Sequence, residues 1–296
     1  MSTVLHTHAE PAALSGGAAP RKRRTVSEAD LRGRWWRFAL ILAITAIVLV
    51  PIGVVAVLAF TPGASSTTTG FTLENFGNIF TQTLASTWLT NSLQVTLATV
   101  VVSVAVAAPA GYVLSRGRSK AVSGYSLLLF VMQSLPIITS VVPLFILFAN
   151  LDLADSLLGI IIVYVASTMA VATWMMAAYF DSIPASLEEA SWIDGCSVFG
   201  SFTKVVLRNS LPGVLSTAIF AFLLAWNDYL VAIVFLRTDV NFTLPVGVQS
   251  FFQQNATDWG SVMAMAVIMM LPPIIVFATL NKYFSVGGIG GSLAGR

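Results

Sequence analysis

The chain has 296 residues, 56% of them hydrophobic and only 9% charged, with a formal net charge of +2 and a mean hydropathy of +0.85. A soluble protein carries about 25% charged residues, so lipid must be part of this chain's solvent and a soluble enzyme is all but excluded. With one cysteine, Cys196, and both histidines (His6 and His8) in the first ten residues, a disulfide framework, a Cys/His zinc site and a Ser-His-Asp triad are excluded too, and no catalytic or metal-ligating residue is predicted.

Residues 1–37 are predicted to be a disordered, basic cytoplasmic tail, rich in Ala, Gly, Ser and Pro at its start. Arg21 to Arg24 sit just before an apolar run, so they are read as a topology and headgroup anchor rather than a nucleic-acid patch. Trp35 and Trp36 beside Arg34 and Arg37 read as an interface belt. The first span, Phe38 to Phe60, is about 23 residues long, too long for a cleaved signal peptide. After it, Leu73, Phe76, Ile79 and Phe80 recur at helical spacing and predict an amphipathic helix on the outer surface.

Five more windows reach the roughly 20 apolar residues that a spanning helix needs. They are Asn91 to Leu114, Tyr125 to Ala149, Ser156 to Phe180, Val214 to Leu236 and Trp259 to Asn281. Pro51, Pro109, Pro136, Pro143 and the Pro272–Pro273 pair fall inside spans and should kink them. The methionines of the later spans read as packing filler. The loop from Arg237 to Asp258 is too polar to span. The fold class is therefore all-α membrane protein with six transmembrane helices over residues 38–284, and a short tail over 285–296. Fourteen Lys and Arg fall on one side of this arrangement and only Arg237 on the other, which puts both termini in the cytoplasm.

The segment 182–213, between the fourth and fifth spans, carries a pattern of its own. Ser186 with Glu189 fits a capping box. Leu187, Ala190 and Ile193 make an apolar stripe, Gly195 falls where a helix ends with positive φ, and Ser197 is placed to cap a second helix from Val198 to Leu207. This predicts a helix pair at the cytoplasmic face, either a docking surface or a pair lying on the headgroups. In the fifth span Asp228 is the only acid within any span, next to Trp226 and Asn227. Such an acid faces a cavity or a partner, so it either lines a polar path or bonds an interhelical hydroxyl or a neighbouring subunit.

Glu189-Ala190-Ser191, three residues, then Gly195 resembles the EAA loop of permease subunits of bacterial ABC importers. Ser191 stands for the family's second Ala, Val205 for its Ile and Arg208 for its proline, with Pro212 four residues on. Phe222 to Leu230, Thr243 to Val246 and the glycine-rich end from Asn281 to Gly295 are similar to the carbohydrate (maltose-type) subgroup. The resemblance covers about residues 38 to 296. It implies that Glu188, Glu189, Ala190, Asp194 and Gly195 form the loop that couples to an ATPase, and that Trp226, Asn227 and Asp228 belong to a substrate path. It also implies a heteromeric importer in the bacterial plasma (inner) membrane: a second permease, two ATPase subunits, an extracytoplasmic solute-binding protein and a sugar. No Walker motif occurs, so this chain binds no cofactor, and ATP and Mg belong to the ATPase partners. The competing readings are a permease for a glycerol-phosphate-type substrate, which would want cations in the spans, and a secondary transporter, which would want an ion relay.

Overall fold

The computed structural model describes residues 28–62, 70–252 and 258–287. The basic cluster at residues 21–24 and the glycines beyond residue 287 lie outside them. The chain divides into two units, residues 1–51 and 52–296. In the first, the stretch of helix α1 (Glu28–Ala59) from Phe38 to Val50 presents large apolar side chains on all sides, all exposed. A helix apolar all round is stable only in lipid or a large core. Trp35 packs edge-on against Phe38, with ring centroids 6.2 Å apart.

The second unit contains α2 (Glu74–Gln82), α3 (Ala85–Arg116), α4 (Lys120–Ser134), α5 (Ile137–Asn150) and α6 (Leu157–Asp181). There follow α7 (Ala185–Ile193), α8 (Val198–Asn209), α9 (Leu211–Asn227), α10 (Leu230–Phe235), the single turn α11 (Leu244–Gly247) and α12 (Trp259–Gly287). Among the described residues four helices are long and apolar enough to cross a membrane, and up to six crossings result if each of two bent pairs counts as one.

The kink expected at Pro136 is present and sharp, whereas the break inside the predicted fifth span corrects an expectation of continuity. The predicted third span is two helices, α4 and α5, at 96° to each other. Pro136 lacks an N–H and forces Leu135 into an extended conformation (ψ 123°), so the helix stops there. The other prolines expected to kink lie inside continuous helices. The predicted fifth span is also interrupted: α9 ends at Asn227, Asp228 is extended (ψ 130°), and α10 restarts at Leu230. A second bend, of 77°, separates α8 from α9, where Pro212 takes the first turn of α9, a position that needs no N–H partner.

Helices α3 and α6 form the centre of the unit. Ala107, Ala108 and Ala172 are buried between them. A Cβ on Gly111 would come within 2.7 Å of the Met176 Cβ, so the two backbones meet there without side chains. The hydroxyls of Ser103 and Thr168 bond across the same contact at 2.7 Å. Met176 and Met265 are fully buried, as filler should be.

The α2 segment is helical as predicted but does not turn its apolar stripe inward as a whole. Ile79 and Asn75 are buried while Leu73 and Phe80 are exposed. Asn75 donates from Nδ2 to the carbonyls of Ala59 and Thr61, both at 2.9 Å, so its buried amide is partnered. The polar segment after residue 237 does not span, as expected, but part of it is buried. Leu244, Val246 and Phe251 are buried, and α3 holds the backbone: Trp88 Nε1 donates to Asp239 O (2.8 Å), Asn91 Nδ2 to Val240 O and Phe242 O (2.9 Å each), and Ser92 Oγ accepts from Leu244 N (2.7 Å).

Asp155, in the loop between α5 and α6, latches the same segment. It accepts from Arg237 N (2.7 Å), Thr238 N (3.1 Å) and the Thr238 hydroxyl (2.8 Å). Burial pushes its carboxyl up, but bonds from Arg237, Thr238 and Asn241 outweigh that and hold it below its ordinary value of 3.8. A depressed carboxylate stabilises the fold above its unfolded value and loses that contribution as pH falls through the folded one. Amide exchange at Arg237 and Thr238, corrected for its intrinsic pH dependence, is therefore expected to stay slow at pH 5 and above. It should speed up only below about pH 3.8. Protection that does not change with acidification would show that the latch is idle.

Candidate functional site

Among the described residues, two clusters of polar or charged side chains contain predicted site residues. The first is the α7–α8 pair. Pro184, not Ser186, precedes the first turn of α7, and no side chain caps it. The capping box is therefore corrected: Pro184 fixes φ at −57° and starts the helix early, leaving Ser186 inside the first turn. The other end follows expectation. Gly195 has φ +88°. Its N–H donates to Trp192 O (3.0 Å) and the Cys196 N–H to Ser191 O (2.9 Å), the double bond pattern that closes a helix through a left-handed residue. Ser197 Oγ then accepts from Gly200 N at 3.1 Å and caps α8, which contains a π turn over Phe202–Val206.

The burial of α7 is inverted. Its polar residues Glu188 and Ser191 are buried, while Leu187, Trp192 and Ile193 are exposed, Ile193 at 88%. Val198 and Phe199 at the start of α8 are exposed as well. The polar face can be buried because every group on it is partnered. Glu188 accepts from Tyr112 Oη (2.7 Å) on one oxygen and from Arg116 Nε (2.7 Å) on the other, with Arg116 Nη2 at 2.6 Å completing the ion pair. Arg116 also donates to Ile183 O (3.1 Å) and to Ser115 Oγ (3.0 Å), and Ser115 donates to Asp181 (2.5 Å). Ser191 Oγ and Ser201 Oγ, 2.7 Å apart, tie α7 to α8.

The second place is a cleft of about 730 Å³ between the α4–α5 break, α6 and the α9–α10 break. Asp228 lies on it. Its Oδ1 accepts from Tyr164 Oη (2.7 Å) and from the N–H groups of Val231 and Ala232 (3.1 Å each). The acid is thus also the cap that lets α10 restart after the interruption.

With this geometry in view, residues 107–286 match the family described as binding-protein-dependent transport system inner membrane component. The chain belongs to that family. It is 32% identical to the sulfoquinovosyl glycerol transport system permease protein SmoH of Agrobacterium fabrum, over 76% of this chain and 79% of that one. It is 29% identical to the maltodextrin transport system permease protein MalD of Streptococcus pneumoniae, over 84% of this chain and 91% of that one. Its fold is similar to a chain of a bacterial ABC transporter involved in the import of the acidic polysaccharide alginate, with a TM-score of 0.74 at 24% identity, covering 87% and 98% of the two chains.

As an inner membrane component of a binding-protein-dependent transport system, the chain is a transport component rather than an enzyme. The predicted loop residues separate by position. Glu189, Ala190, Asp194 and Gly195 lie on the exposed side of the helix pair, whereas Glu188 points into the bundle. Of the predicted path residues only Asp228 lines the cleft. Trp226 is 2% exposed, stacked on Phe222 and donating from Nε1 to Met269 O at 3.0 Å, so it joins α9 to α12. Asn227 is exposed and bonds back to Leu223 O at 2.8 Å.

Sequence reasoning missed Tyr112, Arg116 and Tyr164. Arg116 counted only as a topogenic charge, yet Tyr112 and Arg116 are one helical turn apart at the end of α3, a spacing that presents two donors on one face. No local signal marks Tyr164.

Proposed function

We propose that this chain is the membrane permease subunit of an ATP-driven sugar importer and forms half of the translocation path. The other parts are a second permease, two ATPase subunits that hold ATP and Mg, and an extracytoplasmic solute-binding protein. The bent pair α4–α5 crosses the membrane once and α9 with α10 crosses it once, which with α1, α3, α6 and α12 gives six crossings, the α7–α8 pair and both termini lying in the cytoplasm. The fourteen-to-one division of Lys and Arg supports that orientation. The sugar class is supported by the maltodextrin and sulfoquinovosyl glycerol systems in which relatives work.

One observation carries the reading: α7 buries Glu188 and Ser191 while it exposes Leu187, Trp192 and Ile193. A helix resting on its own protein does the opposite. Exposed apolar side chains clustered at a helix–helix turn fit a cleft on a partner, and here that partner is an ATPase subunit. Glu189 and Asp194 rim this apolar patch and supply polar contacts. When the ATPase pair closes on ATP, the seated pair moves with it, and the ion pair on Glu188 passes the motion to α3.

Ile193→Glu is expected to leave the permease folded and inserted while reducing substrate-stimulated ATP hydrolysis by the assembled importer at least tenfold. A charge desolvated at a docking patch costs several kcal/mol. Unchanged stimulation would remove the docking assignment. Orientation is tested separately. In a Cys196→Ser background, a cysteine at Ser66 should react with a membrane-impermeant thiol reagent from outside the cell. Reaction from the inside alone would reverse the topology.

A further inference from the structure

The cleft at the two helix breaks has an unbalanced inventory of hydrogen-bonding groups. Its lining includes one acid, Asp228, and no lysine, arginine or histidine. The Tyr164 proton is committed to Asp228 Oδ1 (2.7 Å), and the Ser167 proton to Val163 O (2.7 Å). That leaves the Gln133 amide and the Ser140 hydroxyl as the uncommitted side-chain donors of the lining. Acceptors are in surplus. Asp228 Oδ1 already takes three donors, while no described residue donates to Oδ2. An ionised carboxylate accepts on both of its oxygens, so Oδ2 is open to a donor.

We propose that this cleft is a binding site for a ligand rich in hydroxyl donors that carries no negative charge, with Asp228 Oδ2 as its principal acceptor. The proposal rests on the permease reading and narrows its substrate class. An anionic sugar brings acceptors to a site short of side-chain donors and meets a like charge with no cation in the lining to offset it. A neutral sugar brings the hydroxyl protons that Oδ2 and the Ser167 and Tyr164 oxygens lack. The volume of about 730 Å³ suits a small-molecule ligand. On this accounting the cargo is closer in charge to a maltodextrin than to the acidic polysaccharide alginate.

The charge at the cleft can be read without knowing the cargo. Ser167 is replaced by cysteine in the full chain carrying Cys196→Ser, assembled with its partners, and its reaction rates with cationic and anionic methanethiosulfonates are compared. Unscreened in water, a unit charge changes the local concentration of a monovalent ion about threefold at a distance of about 6 Å, so about tenfold in the ratio of cation to anion. The cationic reagent is expected to lead by about tenfold over the ratio for a free thiol, and Asp228→Asn should return the ratio to the free-thiol value. The asparagine keeps the acceptor that Tyr164 and α10 need, so the fold is retained. A ratio equal to that of a free thiol, or one that Asp228→Asn leaves unchanged, overturns the proposal. So does import of labelled trimannuronate by the assembled complex. Failure of the permease reading is seen elsewhere, as loss of assembly with an ATPase, and leaves the reagent ratio intact.

Discussion

Glu188→Ala should destabilise the folded permease by about 3–5 kcal/mol, the cost of leaving one member of a buried ion pair alone. The Glu188 side chain is 2% exposed and that of Arg116 is 24% exposed. Removing the carboxylate strands the guanidinium beside the Ile183 carbonyl and leaves the Tyr112 hydroxyl without its acceptor. Glu188→Gln keeps an acceptor for Tyr112 and is expected to cost less. Replacing both partners by leucine should recover much of the loss, because a matched apolar pair avoids desolvating two charges. Thermal unfolding of the detergent-solubilised complex measures all three. A Glu188→Ala protein as stable as its parent would mean that the pair is solvated and contributes nothing.

Gly195→Pro should abolish substrate-stimulated ATP hydrolysis while leaving the membrane helices assembled. Proline holds φ near −65°, whereas this turn needs +88°. It also removes the N–H that reaches Trp192 O. No atom lies within 4 Å of where a Cβ would stand, so crowding plays no part and backbone conformation alone decides the outcome. Gly195→Asn, which tolerates the left-handed region, is therefore expected to keep most of the stimulation. Equal loss in both variants would point to a side-chain clash with the ATPase rather than to the turn. Normal stimulation in Gly195→Pro would remove the turn from the coupling path.

The legible parts of this molecule are those governed by local rules. Gly195 and Ser197 announce a turn and a cap through their own backbone and hydroxyl chemistry, and both hold. Apolar runs of sufficient length announce membrane helices, and α1, α3, α6 and α12 follow. The straightness of a run is not local. Pro136 announces a kink but not its size of 96°, and hydropathy does not register that Asp228 breaks another run and then caps its continuation. Nor does a helical wheel tell which side of α7 faces inward, because the answer depends on Arg116, 72 residues away. The candidate cleft was visible only as an isolated acid. Its walls come from three segments far apart in the chain, and Tyr164 is the donor that holds the acid in place.

Helix α3 is fastened at both ends. Trp88, Asn91 and Ser92 grip the backbone of the segment 239–244, and Tyr112 with Arg116 grips α7. Between Trp88 and Arg116 the helix runs for roughly 40 Å at 1.5 Å per residue. A rod anchored in this way behaves as a connecting link with little free play. A tug on α7 should then be felt at the far segment without passing through a loop, and a ligand that stiffens the far segment should load α7 in return. The two ends of the bundle are thereby geared together, and wear at either joint, Arg116–Glu188 or Ser92–Leu244, would show as slippage at the other.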